Sequence, residues 1–309
     1  MSELHVIFGT GPLGRYTAEA LLAKGLNVRL INRSGKMEAS RKGAEIVKGD
    51  ATNYSETKSL VQGATAIYQC AQPAYHRWRE EFPKLQDAIL NLAIESKSKF
   101  IVAENLYMYG NTNGQPMVET TLHNPCSKKG KVRAEMTKAL FEAHSSGKIR
   151  VASVRGSDFF GPWEPINGEM IFKAAVQKKT LNMLGNLNQP HSFTYVKDFG
   201  KALAIAGTDD RALGRVWHVP SGEPFTQNEL AEMLSKELGY PLKTRATGKV
   251  MLSIIRLFNK GAKEVVEMLY EFNEPFIMNS EAMEKTFGLI STPMEQRIKE
   301  TLEWVKNQM

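Results

Sequence analysis

Residues His5 to Gly25 read HVIFGTGPLGRYTAEALLAKG, and no other stretch of this 309-residue chain limits its fold as strongly. Four residues of strand character, His5 to Phe8, run into Gly9-Thr10-Gly11-Pro12-Leu13-Gly14, and an alanine- and leucine-rich segment follows at once. Strand, glycine turn and helix in that order form the context in which G-x-G-x-x-G signals dinucleotide binding. Gly9 permits the tight turn, Gly11 lets a pyrophosphate approach the backbone, and Gly14 allows close helix–strand packing. Pro12 suits the first helical turn, where its missing N–H is not needed. The helix amides and dipole then face the phosphates. Gly9, Thr10, Gly11, Leu13 and Gly14 are therefore the expected pyrophosphate cradle. The alternative is a glycine turn that serves packing alone.

A second strand, Leu26 to Ile31, ends in Asn32-Arg33-Ser34. An NAD site usually places Asp or Glu roughly 20 residues past the glycines, to accept hydrogen bonds from the ribose 2′-hydroxyl. This chain has no carboxylate there. A carboxylate would repel a 2′-phosphate, whereas Arg33 can pair with it bidentately and Ser34 can donate a hydrogen bond. The expected cofactor is NADP rather than NAD, held by Asn32, Arg33 and Ser34, with Lys36 and Arg41 adding charge. Otherwise Arg33 is a surface arginine at a strand end.

Ala44 to Val47 reads as a third strand. Asp50 follows it, either touching adenine or capping a helix from about Tyr54 to Gln62. Ala64 to Cys70 is a fourth strand whose exit, Ala71-Gln72-Pro73, leaves room for a cofactor. A helix from Tyr75 to Lys97 leads to a fifth strand, Lys99 to Ala103. Lys128 to Ser145 is a helix with Ala134, Thr137, Leu140 and Phe141 as a buried stripe, and Arg150 to Arg155 is a sixth strand. Beyond Gly156 the alternation fades. Expected there are a helix over Gly168 to Lys178, two short strands within Leu181 to Val196, and a helix to about Ala206. A short strand (Val216 to Val219) and a helix boxed by Thr226 and Glu229 follow, then helices near Val250 to Tyr270 and over Pro293 to Lys306.

This order predicts a doubly wound parallel α/β sheet of the Rossmann type with a smaller mixed α/β C-terminal substrate lobe. Residues 1–160 are expected to form the dinucleotide-binding domain and residues 161–309 mainly the substrate lobe, the chain returning to the first around 191–219. Ligands of such sheets lie outside the carboxyl ends of the strands. The segments starting at Gly9, Arg33, Ala71, Ala103 and Gly156 converge there.

The net charge of +7 invites a nucleic-acid reading, but the 40 Lys and Arg are spread along the chain without a binding motif or aromatic platform. Apolar runs are too short for a membrane span, and no basic-then-apolar leader precedes the first strand. Cys70 and Cys126 lack metal-type spacing, so neither a disulfide framework nor a metal site is expected. The expectation is a cytoplasmic protein whose partners are a small-molecule substrate and, at most, a second copy in a homodimer.

Further motifs bear on chemistry: Met108-Tyr109-Gly110, Lys131-x-x-x-Glu135, Arg155-Gly156-Ser157-Asp158-Phe159-Phe160-Gly161-Pro162 and Phe193-Thr194-Tyr195-Val196-Lys197-Asp198. With the glycine turn and Asp50, they make nearly the whole chain resemble the extended short-chain dehydrogenase/reductase family, of the nucleotide-sugar epimerase and dehydratase type. The last two are similar to that family's R-P-x-x-x-x-G-P and F-x-x-V-x-D. The resemblance implies an NAD(P)-dependent oxidoreductase or epimerase/dehydratase-like enzyme acting on a small polar or carbonyl substrate.

The chain also departs from the family's pattern. The family's glycines follow GxxGxxG, whose first position here is Phe8. Its catalytic set is Ser or Thr, Tyr, and Lys four residues after the Tyr. Lys131 fits the lysine, which the resemblance assigns to the nicotinamide ribose, but Ser127 stands in the tyrosine position and Asn105 in the Ser/Thr position. The chain thus reads as an atypical member, with Lys131, Asn105 and Ser127 around the reacting centre. The tyrosine is the proton donor or acceptor, and losing such a group typically removes roughly two to four powers of ten in rate. Tyr75, His76, Tyr107, Tyr109, His191 and Tyr195 are candidate substitutes. Arg155 could pair with an acidic ligand group, and Asp198 could cap the helix after Val196. The rival to an enzyme is a non-catalytic NADP(H)-responsive binding or regulatory protein.

Overall fold

The computed structural model describes residues 3–39, 42–248 and 265–309. Its strands, in chain order, are β1 (Leu4–Phe8), β2 (Asn27–Asn32), β3 (Ala44–Lys48), β4 (Ala64–Gln69), β5 (Lys99–Glu104), β6 (Val151–Arg155), β7 (Asp158–Phe160), β8 (Leu181–Leu184), β9 (Phe193–Tyr195), β10 (Val216–His218) and β11 (Thr244–Thr247). The principal helices are α1 (Pro12–Ala23), α2 (Tyr54–Thr57), α3 (Trp78–Glu95), α4 (Lys128–Ser145), α5 (Ile171–Val176), α6 (Val196–Thr208) and α7 (Gln227–Leu238). Seven strands make one sheet in the order β10-β6-β5-β4-β1-β2-β3, and every pairing in it is parallel. The order reverses between β1 and β4, the switch point at which such sheets bind ligands.

Neighbouring residues of a strand face opposite sides of the sheet, and here both sides are buried, which is why the strands read as nearly unbroken apolar runs. On one side Ile7, Leu30, Tyr68, Ile101 and Val154 pack with Leu21 of α1 and Phe199 and Leu203 of α6. On the other, Val6, Phe8, Ile67, Phe100 and Val102 pack with Ile89 and Leu92 of α3 and Leu140 of α4. The return of the chain at α6 has a steric basis. A Cβ on Gly200 would lie 2.4 Å from the Tyr16 carbonyl carbon, so α1 and α6 meet backbone to backbone.

A separate apolar core joins Phe160, Phe172, Leu181, Phe193, Phe225, Leu234 and, from the helix Met294–Asn307, Ile298 and Leu302. The two short strands foreseen within Leu181 to Val196 are present, but each pairs elsewhere: β8 with β11, and β9 with β7. At three or four residues, β7 and β11 carry no periodic signal, and they were not foreseen. The helix expected from Gly168 begins earlier, as a π-helical turn over Pro165–Met170 whose N-cap is Glu164, and continues as α5. Thr226 and Glu229 form the anticipated capping box at α7. Most of the helix expected near Val250 to Tyr270 falls on residues 249–264, outside the described residues.

Two local readings need correction. The buried stripe of α4 is Val132, Arg133, Met136, Thr137 and Leu140, with Ala134 and Phe141 only half-buried. Asp198 does not cap α6. Its carboxylate accepts from Thr292 N (2.7 Å), Thr292 Oγ1 (2.6 Å) and Lys201 Nζ (2.9 Å), tying α6 to the approach of the last helix. Arg155 is buried, with its Nε 3.0 Å from Glu104 Oε2 and its two terminal nitrogens without a hydrogen-bond partner among the described residues.

Glu104 is the hub of that last contact. It ends β5, and it also meets Arg133 of α4 (3.2 Å) and accepts from Thr137 of α4 (2.7 Å) and Ser153 of β6. Burial works against its charge, but the two guanidiniums and two hydroxyls outweigh burial and hold the carboxyl below its usual range. Glu104→Gln strands two buried cations, so we expect a loss of about 3–5 kcal/mol in chemical denaturation. Because the folded-state value is depressed, the carboxylate stabilises the fold above the unfolded value of about 4.3. That contribution is lost as pH falls through the folded value, and the variant should lack this acid-sensitive component.

Candidate active site

The switch point is built by close backbone contact. Gly9 has φ +106°, and a Cβ there would lie 2.7 Å from Ala71 N; a Cβ on Gly14 would lie 2.0 Å from Gly9 O. Both glycines are demanded by packing. Gly11 is different, because a Cβ there would meet nothing within 4 Å. It is the N-cap residue of α1, with no side chain capping the helix and Pro12 at the first position. The open amides of this first turn carry the positive end of the helix dipole and face free space. This is the cradle that a dinucleotide pyrophosphate needs, and the residues present fit that group. Thr10 Oγ1 accepts from Asn32 Nδ2 at 2.7 Å, while half-buried Leu13 packs against the sheet core.

At the β2 exit the three candidate residues divide their work. The Asn32 amide also donates to Lys36 O, and its Oδ1 accepts from Ser34 Oγ (3.0 Å) and Gly35 N (2.6 Å). Asn32 and Ser34 thus build the turn. Arg33 is exposed and makes no hydrogen bond or ion pair among the described residues, and Lys36 is exposed too. Arg41 lies outside the described residues. Asp50, half-buried at the β3 exit, accepts through Oδ1 from Thr52 N (3.0 Å) and Thr52 Oγ1 (2.7 Å). It therefore shapes the turn ahead of α2, and Asn53 takes the N-cap position.

The exits of β4, β5 and β6 form the other half of the site. Gly156 N donates to Glu104 O at 3.1 Å, setting Gly156 beside the start of the β5 exit. Asn105, half-buried, accepts from Tyr107 N at 3.4 Å. Ser127 is the N-cap of α4, its Oγ accepting from Gly130 N at 3.0 Å. Lys131 is exposed and unpaired among the described residues. The buried lysine of this helix is Lys129, whose Nζ sits 3.3 Å from Glu267 Oε1 and 4.3 Å from the centre of the Tyr75 ring.

Of the six candidate substitutes for the tyrosine, Tyr75 and Tyr107 meet each other, and His191 meets a carboxyl group. The Tyr75 and Tyr107 hydroxyls are 3.4 Å apart, and burial raises both phenols well above their ordinary value. His191 is buried, with Nε2 3.0 Å from Asp158 Oδ2 and Nδ1 3.1 Å from Glu271 O. Burial, with the Asp158 charge adding, pushes the Glu271 carboxyl well above the carboxylate range. The remaining three point elsewhere. Tyr109 bonds buried His218 (2.8 Å), Tyr195 donates to Glu300 (2.6 Å), and His76 is exposed.

Asp158, Glu271 and Lys129 were not singled out from the sequence. Lys129 was hidden in the basic run Lys128-Lys129-Gly130-Lys131, Asp158 had a signal only as a polar residue within the arginine-to-proline run, and Glu271 had none. Among the described residues, no group of three or more His, Cys, Asp or Glu is arranged to hold a metal, and no helix is long and apolar enough to cross a membrane.

Comparison with known proteins bears on the family and the fold. The family model of the NAD dependent epimerase/dehydratase family matches residues 6–219. The sterol-4-alpha-carboxylate 3-dehydrogenase, decarboxylating, of Mus musculus is 24% identical over 238 residues, covering 71% of this chain and 64% of the mouse protein. The Bos taurus protein of that name is 23% identical, with 71% of this chain and 65% of the bovine protein covered. The chain thus spans just under two thirds of the length of these relatives. Among solved structures, epimerase Mth375 of Methanothermobacter thermautotrophicus superposes with a TM-score of 0.81 at 14% identity, covering 99% of this chain and 93% of that one. The dTDP-glucose 4,6-dehydratase of Bacillus anthracis, in complex with NAD, gives 0.81 at 15% identity, with 99% and 97% covered. These likenesses establish the fold, and the family match extends over more than half the sequence. The chain belongs to the NAD dependent epimerase/dehydratase family.

Proposed function

We propose that the protein binds NADP(H) at the carboxyl edge of its sheet and carries out a two-electron oxidoreduction on a small polar or carbonyl substrate. That step is either the whole reaction or part of an epimerase/dehydratase-like sequence. The observation that carries this reading is the pairing of an open α1 N-terminus at Gly11 with a free, exposed Arg33 at the neighbouring strand exit. The bound dinucleotide supplies or accepts a hydride. In this reading Gly9, Thr10, Gly11, Leu13 and Gly14 hold the pyrophosphate, Arg33 takes the 2′-phosphate on a turn built by Asn32 and Ser34, and Asp50 and Ala71 flank the adenine. Lys131 reaches the nicotinamide ribose, and Asn105 and Ser127 border the reacting centre.

Residues 1–160, with the return at 191–219, form the dinucleotide-binding part, and the separate core after Phe160 carries the substrate side. The names of the sterol dehydrogenase relatives support an alcohol or ketone as the reacting group. Two free cysteines suit a cytoplasmic setting. A second reading, a non-catalytic NADP(H)-responsive binding protein, is favoured by one observation: the Ser127 oxygen is engaged as a helix cap.

Calorimetry with NADPH and NADH tests the cofactor assignment. A charge-assisted bidentate pair is worth about 1.5–3 kcal/mol, so Arg33→Ala should lower NADPH affinity by roughly ten- to a hundredfold and leave NADH affinity unchanged. Equal weakening of both would remove Arg33 from the 2′-phosphate. Gly11→Val should weaken both dinucleotides without lowering thermal stability, since the space it enters is empty of protein. For the enzyme reading, NADPH consumption with a panel of carbonyl compounds should fall in Lys131→Ala. Tight NADPH binding without turnover across the panel would favour the binding protein.

A further inference from the structure

The missing tyrosine leaves the site without its usual proton donor, and the groups near the β6 exit offer another. Asp158 lies three residues beyond Arg155, the end of β6, and Gly156 between them is hydrogen-bonded to the end of β5. Its Oδ2 is enclosed and has no hydrogen-bond partner other than the 3.0 Å contact with His191 Nε2, while 19% of the side chain remains exposed. His191 itself is held rigidly. Its ring stacks on Phe272 (5.0 Å, 10°) and lies against Phe193 (4.4 Å) and Phe276 (5.1 Å), and Ser157 Oγ is 3.5 Å from Nε2.

The Glu271 carbonyl can only accept, so Nδ1 of His191 carries a proton. Nε2 then faces a carboxyl oxygen at hydrogen-bond distance, and that contact is attractive only if a second proton lies between the two groups. The neighbours from each surrounding element are Tyr107 from the β5 exit, Tyr75 from the β4 exit, Glu164 from the π-helical turn, and Tyr270 and Glu271, all of which feel the charge of Asp158. None of these supplies a cation, and Lys129 is committed to Glu267. His191 is thus the basic group in contact with Asp158 among the described groups.

We propose that Asp158, backed by His191, is the proton-transfer group of this site and occupies the role left open by Ser127. The proposal rests on the NADP(H) oxidoreductase reading. In the oxidative direction the substrate hydroxyl passes its proton to the Asp158 carboxylate, and the O–H pair becomes the second bond of the carbonyl. A bound NADP⁺ would be the two-electron acceptor, taking the carbon's hydrogen with its electron pair, so that the alcohol would be oxidised. Reduction runs the same steps backward, with the dyad giving the proton to the carbonyl oxygen. The phenols are poorer candidates. Burial makes Tyr75 and Tyr107 hold their protons more tightly than an ordinary phenol, and Glu271, 1% exposed, cannot reach a ligand.

The test uses the full chain, with Asp158→Asn, Asp158→Glu and His191→Gln as variants. With NADPH and 9,10-phenanthrenequinone or cyclic ketones as probes, Asp158→Asn should keep the NADPH affinity. Its kcat should fall by roughly 10²–10⁴-fold with KM little changed, and Asp158→Glu should restore part of the rate. Wild-type kcat in Asp158→Asn overturns the proposal while leaving NADP(H) binding intact. A wild-type protein that binds NADPH and turns over no probe overturns the oxidoreductase reading and the proton role with it. Failure to bind NADPH overturns the cofactor assignment first.

Discussion

The buried charge cluster on Glu104 sets the positions on which the rest of the site depends. One carboxylate meets Arg155 on the next strand, Arg133 on α4 and the hydroxyls of Ser153 and Thr137. Three separate pieces of chain are joined at the level where β5 and β6 end. An ion pair taken out of water gains little net stability over an apolar substitute, but breaking one partner is severe. Its contribution is therefore better described as geometric. The exits that carry Asn105 and Asp158 start from a point that cannot shift without exposing a buried charge. Arg155 also stacks over the ring of Tyr109 (4.9 Å), which bonds His218. Burial, aided by that arginine, pushes His218 down to about 3, so the imidazole stays neutral and the cluster gains no further positive charge.

The amino-terminal half of the site rests on the absence of side chains. Gly9 against Ala71, Gly14 against Gly9 and Gly200 against Tyr16 bring β1, β4, α1 and α6 closer than a Cβ would allow. Polar side chains nearby are then sorted into those that build and those left free. Asn32, Ser34 and Thr10 are committed to one another, Asp50 to Thr52 and Ser127 to Gly130. Arg33 and Lys131 stay exposed without partners among the described residues. A free cation costs little in water and gains most when an anionic ligand excludes that water. Unpartnered basic groups beside an open helix N-terminus are what an anionic cofactor site needs before it fills.

Local pattern explains what could be seen in advance. The glycine turn, the strands of the main sheet and the Thr226–Glu229 box are each written within a few consecutive residues. The return of the chain at α6 was legible because F-x-x-V-x-D marks it. The short strands β7 and β11 were not, since their pairing comes from partners 35 or more positions away rather than from their own alternation. Glu104 with Arg155, His191 with Asp158 and Lys129 with Glu267 likewise join distant segments. No spacing rule in one sequence links such residues. The same limit applies to Asp198, which reads as a helix cap but whose partner, Thr292, lies far off in the chain.

Ser127, which the family resemblance sets at the tyrosine position, is engaged as the cap of α4. A phenol at the head of α4 would need a cation beside it to become acidic, and Lys131 would supply that. With serine there, the hydroxyl turns back to cap the helix and Lys131 has no phenol to act on. The phenols that remain, Tyr75 and Tyr107, sit where burial outweighs every cation in reach, and Lys129 beneath Tyr75 is neutralised by Glu267. Burial also raises the Glu271 carboxyl well above the carboxylate range, and burial of this kind favours bound protons over separated charges. Asp158 differs in geometry: its side chain keeps 19% of its surface exposed, and its Oδ2 lies 3.0 Å from His191 Nε2. Exposure to a ligand on one side and an imidazole on the other are what distinguish the carboxyl group at the β6 exit from the buried phenols.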